Sequence, residues 1–552
     1  MATFQEYGDY SGFKLNLDKS LALATSSVLR DSWPGPFPLQ WASSSFRYLG
    51  ILLTPRTSVL YRVNIDSLFC SSAECFARWS PLPLSLLGRI HLFNMVLFPK
   101  WLYTLQLLPL WLLKRDITKL HSMLSRFCWG GRRPRVALHY LFGAWGGGGL
   151  GLPHFRLYNA ACLMRFLGEW LSDRQDFIPK FYEKEFFAPW HILSLVHTPH
   201  SALPAPLRGS LLLHSLRVIW SYVLDSWNGT PSITRYLPIQ GNLQFSPGME
   251  TASFRKLASR DFTLLTHVLQ ADGSLLSWDA LVRSGVFSVG DFLAFRQLHH
   301  YVRSLPRTAL AFLIEDRFAA LLDPYLEDGF TVSGLYKDFH RLLGPTDRAV
   351  LHARWCQDLG IARDALDLPS LIARIPGVSV NADLRECQFR VLHRGYFMKS
   401  QLYYSGYKDS PLCPKCLQQP HSFIHAFWSC VKINRFWRQV LSYVESILGT
   451  ALPFSAAGLL LDKYEAFRLS DSGQRQFMRR VGVLGKKVIL SVWIGETLPS
   501  FWDWRNRLHA LLLLERKDAS YSLRRKRLFL RIWDSYLFSL SPRARSDILN
   551  SL

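Results

Sequence analysis

Between Cys413 and Cys430 the sequence reads CPKCLQQPHSFIHAFWSC, with three cysteines and two histidines. No other stretch restricts its own fold so tightly, because thiolates at such spacing invite a metal ion that fixes the backbone between them. Cys413 and Cys416 have two residues between them, the knuckle spacing that lets both sulfurs reach one ion. His425 and Cys430 are separated by four residues and could supply the other pair. They need not share a helical face, so a turn or a fraying helix end is expected between them. His421 competes with His425 for the fourth place, and His425 is the preferred ligand. A set of Cys413, Cys416, His425 and Cys430 leaves no open position for water or substrate. The expected metal is therefore a structural zinc that staples a small fold. The plainer alternative is buried free cysteines beside a solvated histidine.

The other six of the nine cysteines (Cys70, Cys75, Cys128, Cys162, Cys356 and Cys387) are scattered, which does not resemble a secreted disulfide framework. A reducing compartment, nucleus or cytoplasm, is expected. The chain has 552 residues, 49% of them hydrophobic, enough for three or four folding units and too apolar for global disorder. Lys and Arg exceed Asp and Glu by 65 − 41 = 24. Such an excess repels itself unless a polyanion neutralises it, so nucleic acid is the first expected partner and an anionic membrane the second. The start, MATFQEYGDYSGFKLNLDKS, has no basic stretch followed by an apolar core, so no secretory leader is expected. Leu92–Leu113 is the most apolar stretch, but Asn94, Pro99, Lys100, Gln106 and Pro109 interrupt it. Buried helices are expected there rather than a membrane span.

Along the chain, RYLGILLT (Arg47–Thr54) reads as a compact β-type run after the proline-broken WPGPFPLQW. From Ser85 to Cys128 the pattern is helical, with Leu86, Ile90, Phe93, Val96 and Leu97 at three- and four-residue spacing. GRRPR (Gly131–Arg135) ends this block with a basic turn, and WGGGGLGLPHF (Trp145–Phe155) reads as a flexible loop. Helix is expected at Leu157–Leu171 and Leu384–Phe397, and a linker or surface loop at His197–Ser210. Residues 210–345 mix short helices and turns, and the last hundred residues are helical and basic.

GGGGLG lacks the following Lys-Ser/Thr of a phosphate-cradling loop, and no GxSxG nucleophile elbow occurs. Three basic runs stand out: Arg132, Arg133, Arg135; Arg479, Arg480, Lys486, Lys487; and Arg524, Arg525, Lys526, Arg527, Arg531. A single run is usually a solvated helix face, but recurrence on so cationic a chain favours phosphate neutralisation without base readout. The aromatic residues Phe427, Trp428, Phe436 and Trp437 beside the cysteines read as core sooner than as a base-stacking platform.

SPLCPKCLQQPHSFIHAFWSCVKINRFW (Ser410–Trp437) resembles the cysteine–histidine segment near the end of the LINE-type (non-LTR) retrotransposon reverse transcriptase protein. It is not the retroviral knuckle, since Ala426 stands where that motif's last cysteine would be. The resemblance continues in order. GFKLNLDKS (Gly12–Ser20) is similar to the late palm, FRYLGI (Phe46–Ile51) to the hairpin that grips the primer end, and Leu84–Leu112 to the thumb helices. Gly148–Leu167 is similar to the Gly-Leu-Pro segment beyond the thumb, and Arg505–Leu537 to the extreme C-terminal helices. Lys19 matches a family lysine near the nucleotide. The family's polymerase holds two metal ions on acidic residues that include an adjacent Asp-Asp pair, and this chain contains no Asp-Asp. Asp9 and Asp18 do not match the catalytic positions.

The resemblance implies the C-terminal portion of such a protein, a truncated fragment inactive alone as an RNA-directed DNA polymerase. The expected fold is mainly α and multidomain: a small α+β palm remnant (1–56), thumb-like helices (57–130), a linking helical region (131–345), a zinc module with preceding helices (346–445) and basic C-terminal helices (446–552). The expected partners are RNA and DNA, in a ribonucleoprotein with element RNA, and no membrane. The nucleic-acid contacts are expected at Lys19, Arg132, Arg133, Arg135, Arg524, Arg525, Lys526 and Arg527. Two alternatives stand beside this reading: a zinc-stapled protein-interaction scaffold and a non-functional relic.

Overall fold

The computed structural model describes residues 2–24, 39–42, 44–144, 147–171, 178–198, 200–226, 237–247, 254, 264–270, 274–305, 317–343, 348–465, 467, 469, 471–493 and 495–550. Part of the proline-broken WPGPFPLQW, and Trp145 and Gly146 of the glycine-rich loop, lie outside the described residues. The fold is mainly α and multidomain, with a few short strands. One compact unit comprises Met1–Cys75, Leu97–Leu120 and Phe155–Gly344; the other comprises Phe76–Val96, His121–His154 and Pro345–Leu552.

In the first unit β1 (Leu21–Ala22) pairs in parallel with β2 (Gln40–Trp41), and β3 (Phe46–Tyr48) pairs antiparallel with β4 (Ile51–Leu53). The β3–β4 hairpin is the β-type run read in RYLGILLT. Its two-residue turn, Leu49–Gly50, takes φ of 46° and 87°, as a hairpin matched to right-handed strand twist requires. The Asn64 side chain ties β4 down, accepting from the Leu52 amide and donating to its carbonyl, both at 2.9 Å. α1 (Phe155–Leu171) buries Leu157, Ala160, Leu163, Met164 and Leu167 at helical spacing. α1 packs against α2 (Leu211–Ser226) and α3 (Val332–Leu343), with Tyr158 stacked on Tyr336. Buried Asn159 of α1 accepts from the Leu112 amide (2.8 Å) and donates to the Leu110 carbonyl (2.7 Å), so it satisfies backbone groups of the non-helical segment after Leu107. A separate cluster around Phe254, Leu281, Phe287 and Leu298 forms a smaller core. His197–Ser210, expected as a linker or surface loop, contains two 3₁₀ turns, His200–Ala202 and Ala205–Leu207, and buries Leu203 and Leu207.

The apolar stretch near Leu92–Leu113 is a helix (Leu86–Leu92), a π-helical turn (Phe93–Leu97), a second helix (Phe98–Leu107) and an extended tail. Among the described residues, no helix is long and apolar enough to cross a membrane. Phe93, Leu97, Trp101 and Leu105 are buried as their spacing predicts, whereas Val96 is 37% exposed. The extra residue of the π turn shifts the helical phase and carries Val96 off the buried stripe.

The second unit is built on α4 (Ala382–Leu392), α5 (Val431–Leu448), α6 (Ala456–Leu461), α7 (Ser472–Ser491), α8 (Phe501–Ala519) and α9 (Leu523–Phe538). Its core gathers Trp437, Phe477, Trp504, Trp533 and Tyr536, all nearly inaccessible. α7 meets α5 at Gly485, where a Cβ would lie 2.2 Å from the Trp437 ring.

Two sequence expectations change in this unit. The cations Arg480 and Lys486 are buried, not arrayed on a phosphate-facing surface. Arg480 pairs with Glu515 (2.8 Å), which also accepts from Trp533 Nε1 (2.9 Å) and Ser379 Oγ (2.8 Å). Lys486 Nζ donates to the Leu459 and Leu460 carbonyls at 2.9 and 3.0 Å and lies 3.8 Å from Asp462, so it caps the C-terminus of α6. Helical spacing turned both side chains inward, which a count of charges along the chain does not reveal. The glycine-rich loop is folded back instead of being an open connector. Leu150 and Leu152 donate to the Leu141 carbonyl, and a Cβ on Gly149 would sit 2.0 Å from the Phe142 carbonyl oxygen.

Candidate metal centre

The cysteine–histidine segment begins as a tight hairpin. Leu412 and Pro420 form an antiparallel bridge, the Cys413 amide donates to the Gln419 carbonyl (2.8 Å), and the His421 amide donates to the Pro411 carbonyl (2.9 Å). The chain reverses after Cys416 because Leu417 takes a left-handed conformation, φ 57°. That reversal aims backbone N–H groups at sulfur: those of Lys415 and Cys416 at Cys413, and those of Gln418 and Gln419 at Cys416. Leu417 is 61% exposed, so it sacrifices little burial if shortened. Leu417→Gly is expected to raise unfolding stability by roughly 0.5–1 kcal/mol, since glycine removes the left-handed penalty and loses somewhat more chain entropy. Urea denaturation of the metal-loaded protein measures it.

His425 and Cys430 meet through a π-helical turn, His425–Ser429. The Cys430 amide donates to the His425 carbonyl at 3.0 Å, so five residues close one turn and set the two ligands together. An α-helix would place position i+5 off the face of position i, which is the difficulty that the spacing posed. Cys430 then leaves helical conformation (ψ 128°) and starts α5, with its carbonyl accepting from the Asn434 amide (2.8 Å) and its thiol unused for capping.

These two pieces bring together one ligand atom each from Cys413, Cys416, His425 and Cys430, all within 4.8 Å of one another. Cys413 and Cys430 Sγ are 3.9 Å apart, and Cys416 Sγ is 3.4 Å from His425 Nε2. Tetrahedral edges for zinc with bonds of about 2.3 Å to sulfur and about 2.0 Å to nitrogen come to roughly 3.5–3.8 Å. The four residues could therefore hold a metal ion, in a shape compatible with zinc. Burial pushes the Cys413 thiol up to about 11. Burial also raises Cys416, but N–H donation from Gln418 and Gln419 and bonds from Cys430 and Cys413 outweigh it and leave this thiol below its usual range. Desolvation lowers His425, favouring the neutral imidazole that a metal needs.

His421 is used otherwise. Its Nδ1 accepts from the Lys399 amide (3.0 Å), its carbonyl accepts from Ser400 Oγ (2.9 Å), and its ring meets Trp493 edge-on at 5.1 Å. Burial first, then the charges of His425, Lys415 and Lys399, push it down to about 4. Phe427, expected as core, is fully buried against Phe423 and Trp493, and its carbonyl accepts from Trp437 Nε1 (2.8 Å). Lys415, which sequence reasoning passed over, donates from the knuckle to the carbonyls of Val492, Gly495 and Thr497 beyond α7.

Of the eight residues expected to contact nucleic acid, Lys526 is half-buried and the other seven are exposed. Arg132, Arg133 and Arg135 follow a helix that ends at Cys128, and all three are exposed. Arg133 and Arg135 lie over the same ring, Phe397, at 5.6 and 4.4 Å. Burial and then the positive fields of Arg390, Arg132 and Arg133 push the Arg135 guanidinium down. Arg390, absent from the sequence reading, pairs with Glu386, while no carboxylate among the described residues pairs with the other three. Arg524, Arg525, Lys526 and Arg527 crowd the first turn of α9, where the helix dipole disfavours cations, and among the described residues only Arg525 has a carboxylate partner, Asp518 at 2.7 Å. Lys19 belongs to the other unit, exposed at the end of a 3₁₀ turn, Leu17–Lys19. No model of a known protein family matches the chain.

Proposed function

We propose that this chain is a nucleic-acid-gripping portion of a LINE-type reverse transcriptase protein, with a structural zinc at Cys413, Cys416, His425 and Cys430 and without the polymerase's catalytic carboxylates. One observation carries the binding part: Arg132, Arg133 and Arg135 stand together beside Arg390, and among the described residues no carboxylate pairs with any of the three. Clustered guanidiniums that repel one another are relieved by a polyanion, and phosphate suits their planar fork. The cations at the first turn of α9 support the same reading, since an anion there satisfies both the side chains and the helix dipole. The family part rests on the ordered motifs of the sequence. In this reading the chain grips RNA or DNA through the backbone, does not polymerise alone, and works in the nucleus and cytoplasm.

Binding to a labelled single-stranded RNA, followed across a salt series, tests it. Affinity is expected to fall several-fold per doubling of salt, and Arg132→Ala/Arg133→Ala/Arg135→Ala is expected to flatten the log–log slope by about 2. Absent or salt-insensitive binding by the intact chain refutes the reading.

A further inference from the structure

The polar face of α5 forms the wall of an open groove. Arg435, Arg438, Gln439, Ser442, Tyr443 and Ser446 recur at three- and four-residue spacing, opposite the buried stripe of Ile433, Phe436, Trp437, Val440, Leu441 and Val444. Phe501, the first residue of α8, closes the other side, and the groove measures ≈ 620 Å³.

Its chemistry is cationic and aromatic together. Arg438 lies 4.4 Å over the Phe454 ring and is held by Asn434 Oδ1 at 3.0 Å. Arg505 lies between Tyr443 (5.3 Å) and Trp502 (5.4 Å). Among the described residues no carboxylate pairs with Arg435, Arg438 or Arg505. Trp502 is 63% exposed, far more than its hydrophobic area warrants in a face that only meets water.

We propose that this groove binds a single-stranded nucleic acid, with phosphates on Arg435, Arg438 and Arg505 and a base stacked on Trp502 at its mouth. An acidic peptide would satisfy the arginines but gives no role to an exposed indole flanked by a guanidinium, whereas a base presents a π face to it. Gln439 and Ser442 supply neutral donors and acceptors for sugar and phosphate along the same face, and Ser446, whose hydroxyl donates to the Tyr443 carbonyl, adds an acceptor. The metal site reaches this wall through Trp428 of the π turn, which packs against Phe454 at 4.4 Å under Arg438. The proposal rests on the nucleic-acid reading above and adds to it a place that the arginine cluster at 132–135 does not supply.

Fluorescence anisotropy with labelled oligouridylate, on the full chain carrying zinc, tests it. Trp502→Ala is expected to weaken binding about tenfold, as loss of one stacked base does. Arg435→Ala/Arg438→Ala is expected to lower the log–log salt slope by about 1.4. Unchanged zinc content and circular dichroism identify variants that remain folded, and ultraviolet crosslinking of oligouridylate to the Trp502 peptide reads the same contact without any substitution. If the parent chain binds and both variants bind equally well with no crosslink at Trp502, the groove proposal is wrong and the general reading survives. If the parent chain does not bind, both fall. Polyglutamate that competes as well as oligouridylate, in a Trp502-independent way, overturns the groove in favour of an acidic protein partner.

Discussion

Cys413→Ser is expected to abolish stoichiometric zinc binding and to unravel the hairpin and π turn that begin α5. Native mass spectrometry should find one zinc per parent chain and none on the variant. An ion held there would join Cys413 and Cys416 of the hairpin to His425 and Cys430 at the π turn, so three ligands would not hold the two pieces in register. Structural zinc sites supply roughly 10 kcal/mol or more of binding free energy that is also folding free energy. Removing a thiolate should therefore lower the thermal midpoint sharply, and chelation of the parent protein should do the same. Affinity should climb with pH, because the Cys413 thiol, pushed up to about 11 by burial, must give up its proton to bind. His421→Ala serves as the contrast: zinc is retained, and about 1–2 kcal/mol of stability goes with the bond to the Lys399 amide. Full zinc loading of Cys413→Ser would discard this ligand set.

Glu515→Leu is expected to destabilise the second unit by about 3–5 kcal/mol. The carboxylate is buried and engaged on both oxygens, holding Arg480 and Trp533 Nε1 on one and Ser379 Oγ on the other. Leucine of similar size leaves the Arg480 guanidinium buried without a counter-charge, and that uncompensated cation dominates the loss. Arg480→Met combined with Glu515→Leu should recover most of it, because two apolar groups can fill the space of the pair. Equilibrium urea unfolding of the single and double variants measures both. A single variant within 1 kcal/mol of the parent would show that the pair contributes little.

Periodicity made some helices legible, among them the block from Ser85 and the run at Leu157–Leu171. Residues buried in α1 recur at the intervals its sequence displays, and the hairpin at Phe46–Leu53 is written in a β-prone run broken by glycine, whereas in α5 only the aromatics Phe436 and Trp437 stand out as core. That Cys413, Cys416, His425 and Cys430 could share an ion was legible as composition, but the means of bringing them together was not. A spacing of five does not distinguish a frayed end from a π turn; the choice falls to Phe427, whose burial and bond to Trp437 fix the turn. Charge was the least legible quantity. Arg479, Arg480, Lys486 and Lys487 look like one cationic run, yet helical phase sends Arg480 and Lys486 into the interior, where partners from distant sequence await them. The groove was hidden for the opposite reason. Arg435 and Arg438 are too sparse to form a run and become a surface feature only when α5 is drawn as a wheel and Phe501 is brought alongside.

The bonds from Lys415 to main-chain carbonyls beyond α7 bear on autonomy. A bead-like finger can be cut out and still coordinate its ion. Here the tip of the knuckle is moored to chain some eighty residues later, so the segment acts as a keystone whose shape depends on the arch around it. A synthetic peptide of the ligand stretch alone should be a poor mimic, and grafting that stretch onto a foreign host should fail unless its mooring travels with it.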